Sequence, residues 1–208
     1  MTDSNIASQE PVSFESRLWC PKSRIYLKQN CTDCSCGYIP SVGTTAPASP
    51  LLPGLEPVVD FYEREFYPLS NFSAFKLLWH GHTFETSEAA YQWTKFAGCR
   101  NDICHLICTA QSAHEAFKIA EEWKDVRRPN WDQIKVMLMR DILYAKTQQH
   151  EYVRRKLLET GTRTLVECSW RDDFWGWGPN RDGQNMLGKL WMEIRSEISR
   201  LKGEGSGE

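Results

Sequence analysis

Between Val58 and about Leu201 the hydrophobic positions fall into short blocks, and the spacing within each block predicts an element. Val58-Val59-Asp60-Phe61-Tyr62 reads as a short strand. Phe75-Lys76-Leu77-Leu78-Trp79 and His82-Thr83-Phe84 flank His80-Gly81, which predicts a hairpin turning at those two residues. A helix is expected to start with Ser87 as its N-cap and to run to about Ala97. Further helices are expected over 101–109, 112–124, 131–147 and 149–159, and Leu165-Val166-Glu167 reads as a short strand. The last helix, roughly 184–201, carries Leu187, Leu190, Trp191, Ile194, Ile198 and Leu201 at steps of three and four, one continuous apolar stripe. Over 131–147 the expected stripe is Trp131, Ile134, Leu138, Ile142 and Ala145. The pattern predicts a helix-dominated α+β domain with a small hairpin or sheet and no internal repeat.

Outside this region the pattern thins. Residues 1–39 form a Cys-rich N-terminal segment whose first 16 residues are polar. Residues 40–57, rich in Pro, Gly, Ser and Thr, read as a linker. Residues 58–202 form the main domain, and GEGSGE at 203–208 is expected to be a frayed tail.

Composition narrows the function classes. The 208 residues are 41% hydrophobic and 25% charged, values of a soluble globular chain. No apolar run approaches the ~18 residues of a membrane span. The opening MTDSNIASQEPVSF lacks the basic start and apolar stretch of a secretory signal. An intracellular protein, cytoplasmic or nuclear, with no membrane partner is the expectation. A formal net charge of −2 argues against broad nucleic-acid binding while leaving room for a local basic pocket. Nine Trp, nine Phe and seven Tyr serve core packing or base stacking.

The segment Ser87-Glu88-Ala89-Ala90-Tyr91-Gln92-Trp93-Thr94-Lys95-Phe96 combines these themes. At 100° per residue, Ala89, Trp93, Phe96 and Ala97 fall on one side of the helix and should face the core. Glu88, Tyr91, Gln92 and Lys95 share the opposite side. Such a stripe is either a solvated face or the wall of a polar pocket, and periodicity alone does not decide between them.

Other motifs join it. SEAAYQWTKF resembles the S-E-x-x-Y/F-Q-x-x-K-F signature of the YbiA-like proteins, the NADAR domain family. Phe61-Tyr62 with Ser70-Asn71-Phe72 is similar to that family's F-Y … S-N-F opening. Asn130-Trp131, Met139 and Ala145-Lys146 resemble its N-W … M … A-K helix. Leu165-Val166-Glu167, Asp172, Trp175-Gly176 and Gly178 resemble its L-V-E … D-x-x-W-G-x-G block, and Asn185-x-Leu187-Gly188 with Met192-x-x-Arg195 its N-x-L-G … M-x-x-R close. Order and approximate spacing hold over residues 61–195, about two thirds of the chain.

The resemblance implies an N-glycosidase that cleaves the C1′–N bond of a phosphorylated ribose. Its substrate would be ADP-ribosylated guanine in nucleic acid or a phosphoribosylamino intermediate of riboflavin biosynthesis. A module that binds ADP-ribose or a nucleotide without cutting it is the alternative. Cleavage builds positive charge on the sugar, so a carboxylate beside it and a second acid or base are needed. Glu88 and Asp172 match family positions and fit those roles, although Asp172 also suits a turn. Lys95 would bind phosphate or attack C1′ as an amine. The candidate substrate-binding set is Tyr62, Ser70, Asn71, Phe72, Tyr91, Gln92, Arg127, Trp131, Trp175, Gly176, Asn185 and Gly188. Trp131 would stack on the base or anchor the core, Arg127 would contact phosphate, and the glycines would allow close backbone approach.

No cofactor is expected for this chemistry. His80-x-His82 reads as structural. The N-terminal Cys20, Cys31, Cys34 and Cys36 form C-x10-C-x2-C-x-C, a spacing compatible with one structural zinc and outside the family resemblance.

Overall fold

The computed structural model describes residues 58–62 and 64–204, together with two short strands near the N-terminus, β1 (Leu18–Cys20) and β2 (Ile25–Leu27). The chain divides into two compact units, residues 1–50 and 51–208. In the first, β1 and β2 pair antiparallel with Trp19 opposite Tyr26. Cys20 closes β1. The other three candidate zinc ligands, Cys31, Cys34 and Cys36, lie outside the described residues, as do the linker expected over 40–57 and residues 205–208.

The second unit opens with β3 (Val59–Asp60) and a 3-10 turn, Arg64–Leu69. The hairpin of β4 (Leu77–Trp79) and β5 (His82–Phe84) follows, then α1 (Ser87–Thr94), α2 (Asn101–Thr109), α3 (Ala113–Glu122), α4 (Trp131–Gln149), α5 (Glu151–Glu159), β6 (Leu165–Val166) and α6 (Met186–Glu204). β3 pairs in parallel with β6, Val59 opposite Leu165. Among the described residues no helix is long and apolar enough to cross a membrane.

The hairpin turns where the sequence indicated. His80 (φ 46°) and Gly81 (φ 80°) both sit in the left-handed region, as a two-residue hairpin loop that matches strand twist requires. The two histidines are packing elements: His80 stacks on Trp93 at 6.1 Å between ring centroids, and His82 approaches the same ring at 5.2 Å.

Four expectations shift. The cap of α1 is Thr86, not Ser87; Thr86 is extended (φ −147°) and its hydroxyl accepts the Ala89 N–H at 3.2 Å. The regular helix ends at Thr94, short of Ala97. In α4 the buried face comprises Trp131, Met139, Ile142, Leu143, Lys146 and Thr147, while Ile134, Leu138 and Ala145 are half-buried. An apolar-stripe reading passes over Lys146, yet its side chain is fully buried because Nζ donates to the Ser70 carbonyl and to Ser73 Oγ, both at 2.8 Å. In α6 the stripe from Leu187 to Ile198 is buried, whereas Leu201, 48% exposed, lies beyond it.

α1 packs against α2, α3 and α4. Its two faces are therefore both enclosed, which an amphipathic pattern does not anticipate. α6 closes on β6 through Gly188: a Cβ there would come within 2.2 Å of the Leu165 carbonyl oxygen and 2.6 Å of the Asn185 side chain. Gly188→Ala is expected to force the helix off the strand, costing about 1–3 kcal/mol as overpacking does. For a domain of this size that is a fall of roughly 5–10 °C in melting temperature. An unchanged melt would mean that α6 and β6 are not held as tightly as this contact implies.

Candidate active site

One cavity of about 710 Å³ opens beside α1. The polar face of that helix forms its floor, with Glu88, Tyr91, Gln92 and Lys95 all lining it. Glu88 and Gln92 are 7% and 2% exposed, so this stripe is not a solvated face. The Pro68–Ser73 turn supplies Ser70, Asn71 and Phe72, and the loop after β6 supplies Asp172, Asp173 and Trp175.

Several hydrogen bonds hold the floor. The Asn71 carbonyl accepts the Glu88 N–H at 3.0 Å, joining the turn to the first residues of α1. Gln92 Nε2 donates to Glu88 Oε1 at 2.6 Å. Trp191 Nε1 donates to the Leu69 carbonyl at 2.9 Å and Lys146 to that of Ser70, so α6 and α4 fix the turn from behind. Two buried acceptors, Asn71 Oδ1 and Gln92 Oε1, have no hydrogen-bond partner among the described residues. Both belong to cavity-lining residues and suit a ligand bearing hydroxyl or amino donors.

Two ionisable groups of the floor, Glu88 and Lys95, are displaced from their usual ranges. Burial pushes Glu88 above the usual carboxylate range and Asp172 adds to this, while the Gln92 hydrogen bond and Lys95 oppose it. Burial holds Lys95 below the usual amine range, opposed by Glu88 and Glu121. Its Nζ lies 5.5 Å from the Tyr91 ring centroid and 5.7 Å from that of Trp131. Asp172 has both of its expected characters: it lines the cavity, and its Oδ1 accepts the N–H groups of Phe174 (2.9 Å) and Trp175 (2.8 Å), the local bond of a turn aspartate.

Ten of the fifteen residues anticipated for catalysis or substrate binding line this cavity: Glu88, Lys95, Asp172, Tyr62, Ser70, Asn71, Phe72, Tyr91, Gln92 and Trp175. Five stand outside it. Arg127 is exposed and pairs with Asp132 at 3.1 Å. Trp131 is 2% exposed and packs behind Tyr91 with ring centroids 5.1 Å apart, an anchor for the wall and not part of its surface. Gly176, Asn185 and Gly188 surround the end of β6. Asn185 (φ 51°) presents its side-chain amide to the strand like a further peptide, accepting from Glu167 N at 3.2 Å and donating to the Leu165 carbonyl at 2.9 Å. A Cβ on Gly176 would come within 2.7 Å of the Glu167 carbonyl oxygen. The glycines do allow close backbone approach, but to β6.

What these residues hold in place is Glu167, which sequence reasoning treated as part of a strand. It is 9% exposed and lines the cavity. A carboxylate directly after Leu165-Val166, at the carboxyl end of a buried strand, was the available signal. Tyr67, His114, Phe117, Glu121, Met139, Ser169, Arg171 and Leu187 complete the lining beyond the anticipated set.

The model of the NADAR domain matches residues 60–199. The chain belongs to the NADAR family. Among relatives, the N-glycosidase Npun_R5314 of Nostoc punctiforme is 38% identical over 133 residues, 64% of this chain and 85% of that protein. The N-glycosidase YbiA of Escherichia coli K12 is 33% identical over 144 residues, 68% of this chain and 89% of that protein. The riboflavin biosynthesis protein VVA0006 of Vibrio vulnificus is 33% identical over 69% of this chain, a match that takes in 39% of that larger protein. The NMR structure of E. coli YbiA superposes with a TM-score of 0.65 at 32% identity, covering 72% of this chain and 89% of that one. The NADAR domain here is thus a helix-dominated α+β domain of the YbiA type, and the chain is an enzyme of the N-glycosidase class.

Proposed function

We propose that this NADAR chain hydrolyses the C1′–N bond between a phosphorylated ribose and a nitrogen base, with ADP-ribosylated guanine in nucleic acid as the favoured substrate. The observation that carries the reading is the gathering of Glu88, Lys95 and Asp172 in one cavity of about 710 Å³, within the range of small-molecule sites. Glu88 and Asp172 supply carboxylates for a sugar that becomes positively charged as the bond breaks. The unpartnered Asn71 Oδ1 and Gln92 Oε1 are acceptors suited to ribose hydroxyls. Exposed rings at Tyr62, Phe72 and Phe117 line the same cavity and offer stacking surfaces for a base. A phosphoribosylamino intermediate of riboflavin biosynthesis is the second reading, favoured by the name of the Vibrio relative.

Lys95 fits attack on C1′. The direction of its shift favours the free amine, and Glu88 shares its helix face. In that route Lys95 Nζ bonds to C1′ as the base departs and loses its proton to a carboxylate. The sugar ring opens to an imine, which water then hydrolyses.

Incubation of the chain with an ADP-ribosylated guanine oligonucleotide, and separately with a phosphoribosylamino-pyrimidine, should release free base product from one of them. Borohydride added during turnover should leave a sugar adduct on Lys95. Release of no product from either substrate would leave a nucleotide-binding module as the better reading. Turnover without an adduct, with activity kept in Lys95→Ala, would remove the covalent route alone.

A further inference from the structure

The cavity contains a carboxyl that the Glu88, Lys95 and Asp172 set leaves unused. Glu167 follows β6 directly and is held on three sides. Its N–H is bound by Asn185 Oδ1, its carbonyl accepts the Trp177 N–H at 2.9 Å, and Gly176 packs against that carbonyl with no room for a side chain. The backbone at this residue is therefore fixed, while the side chain is directed into a cavity it shares with Glu88 and Asp172. Among the described residues no hydrogen bond is made to the Glu167 carboxyl. The other two carboxyls are engaged: Glu88 Oε1 by Gln92, and Asp172 Oδ1 by two backbone N–H groups.

We propose that Glu167 is a catalytic residue, the general acid that protonates the departing base nitrogen, while Glu88 serves the sugar side of the bond. The proposal rests on the N-glycosidase reading above and divides its acid and base roles. In the step, the Glu167 O–H proton passes to the base nitrogen as the C1′–N electron pair leaves with that nitrogen. The positive charge on C1′ is met by water or by the Lys95 amine, whose released proton goes to the Glu88 carboxylate. Where Lys95 has attacked, water then hydrolyses the resulting imine; Glu88 gives its proton up to solvent as solvent returns one to Glu167, and the net reaction is hydrolysis.

The electrostatics agree with the geometry. Burial, followed by the neighbouring carboxylates of Asp172, Glu88 and Asp60, pushes Glu167 up to about 8, so that it carries a proton at neutral pH. Glu88 differs in having Gln92 and Lys95 to support its charge. Burial raises both carboxyls, and what separates them is their neighbours: an amide and an amine stand beside Glu88, whereas carboxyls stand beside Glu167. Among the described residues, the titratable groups that interact with Glu167 are Asp60 from β3, Glu88 from α1, Asp172 from the following loop and the adjacent Cys168.

The test is the rate-against-pH profile of the full chain and of its Glu167→Gln and Glu167→Asp variants, on whichever of the two substrates the wild type cleaves. Glu167→Gln should lower kcat by about 10²–10⁴-fold, the usual contribution of a general acid, with KM changed less than about threefold. The wild-type profile should fall on its alkaline side as the acid ionises, and Glu167→Gln should lose that limb. Glu167→Asp should restore part of kcat together with the limb. A purely structural role would depress the rate without removing the limb and would not distinguish Asp from Gln. Wild-type kcat or an intact alkaline limb in Glu167→Gln overturns the assignment while leaving the N-glycosidase reading in place. A wild type that cleaves neither substrate removes both.

Discussion

Glu88→Gln is expected to lower kcat by about 10²–10⁴-fold while leaving the fold intact. The substitution keeps the shape of the side chain and removes only its charge and its capacity to take a proton. Glu88 is 7% exposed, and Gln92 Nε2 donates to it at 2.6 Å. A glutamine carbonyl oxygen can accept the same bond, so the floor of the cavity should keep its geometry. The melting temperature should hold or rise, because burial already penalises the Glu88 charge. One further effect has a definite sign. Glu88 raises the Lys95 pKa, so its removal lets the amine lose its proton at lower pH. Residual activity of the variant should therefore show its amine-dependent rise shifted to lower pH. A variant with full activity would return α1 to the reading of a polar helix face without chemistry. Reduced activity accompanied by a broad loss of melting temperature would point to a structural role instead.

The second large effect concerns stability. Folding stability should pass through a minimum near pH 7–8, with a fall on the acidic side owed to Glu167 and a rise on the alkaline side owed to Lys146. Glu167 is pushed up to about 8 by burial and neighbouring carboxylates, so between about 4.5 and 8 the folded chain holds a proton that the unfolded chain releases. Stability must fall as pH rises through that window. Glu88, also displaced upward, adds to the same limb. Lys146 is pushed down to about 7 by burial, and the unfolded chain binds the extra proton between about 7 and 10.5. Stability must rise with pH there. Displacements of this size correspond to on the order of 2–5 kcal/mol each, a large share of a typical domain's stability. Denaturant titrations from pH 5 to pH 10 would reveal the minimum. Glu167→Gln should flatten the acidic-side fall and Lys146→Met the alkaline-side rise, whatever either variant does to absolute stability. A stability profile that climbs steadily from pH 5 to 8 would contradict the burial of Glu167.

Both predictions depend on groups whose local sequence gives little away. Glu88 sits on a polar helix stripe of a kind that usually faces water, and only packing of α1 against α2, α3 and α4 encloses it. Lys146 interrupts the apolar face of α4. It is tolerated in the core because the Ser70 carbonyl and Ser73 Oγ, more than seventy residues earlier in the chain, supply its partners. Buried polar groups need such partners, and a sequence window of one or two turns does not contain them.

Much was nonetheless legible in the chain itself. The periodicity of Leu187 to Ile198 gave the closing helix, and His80-Gly81 the hairpin turn. Spacing also grouped Glu88, Tyr91, Gln92 and Lys95 on one side of α1, because these features depend on residues within a few positions of each other. Motif order added Asp172 and the Ser70–Phe72 turn. The tertiary structure decided the rest. It moved the helix cap to Thr86, set Trp131 behind the wall, and turned Gly176, Asn185 and Gly188 from ligand contacts into supports for β6. It also brought Glu167 to face Glu88, from a segment far along the chain. Local spacing fixes which side chains share a face of one element, whereas a cavity is made where faces of distant elements meet, and only folding brings those together.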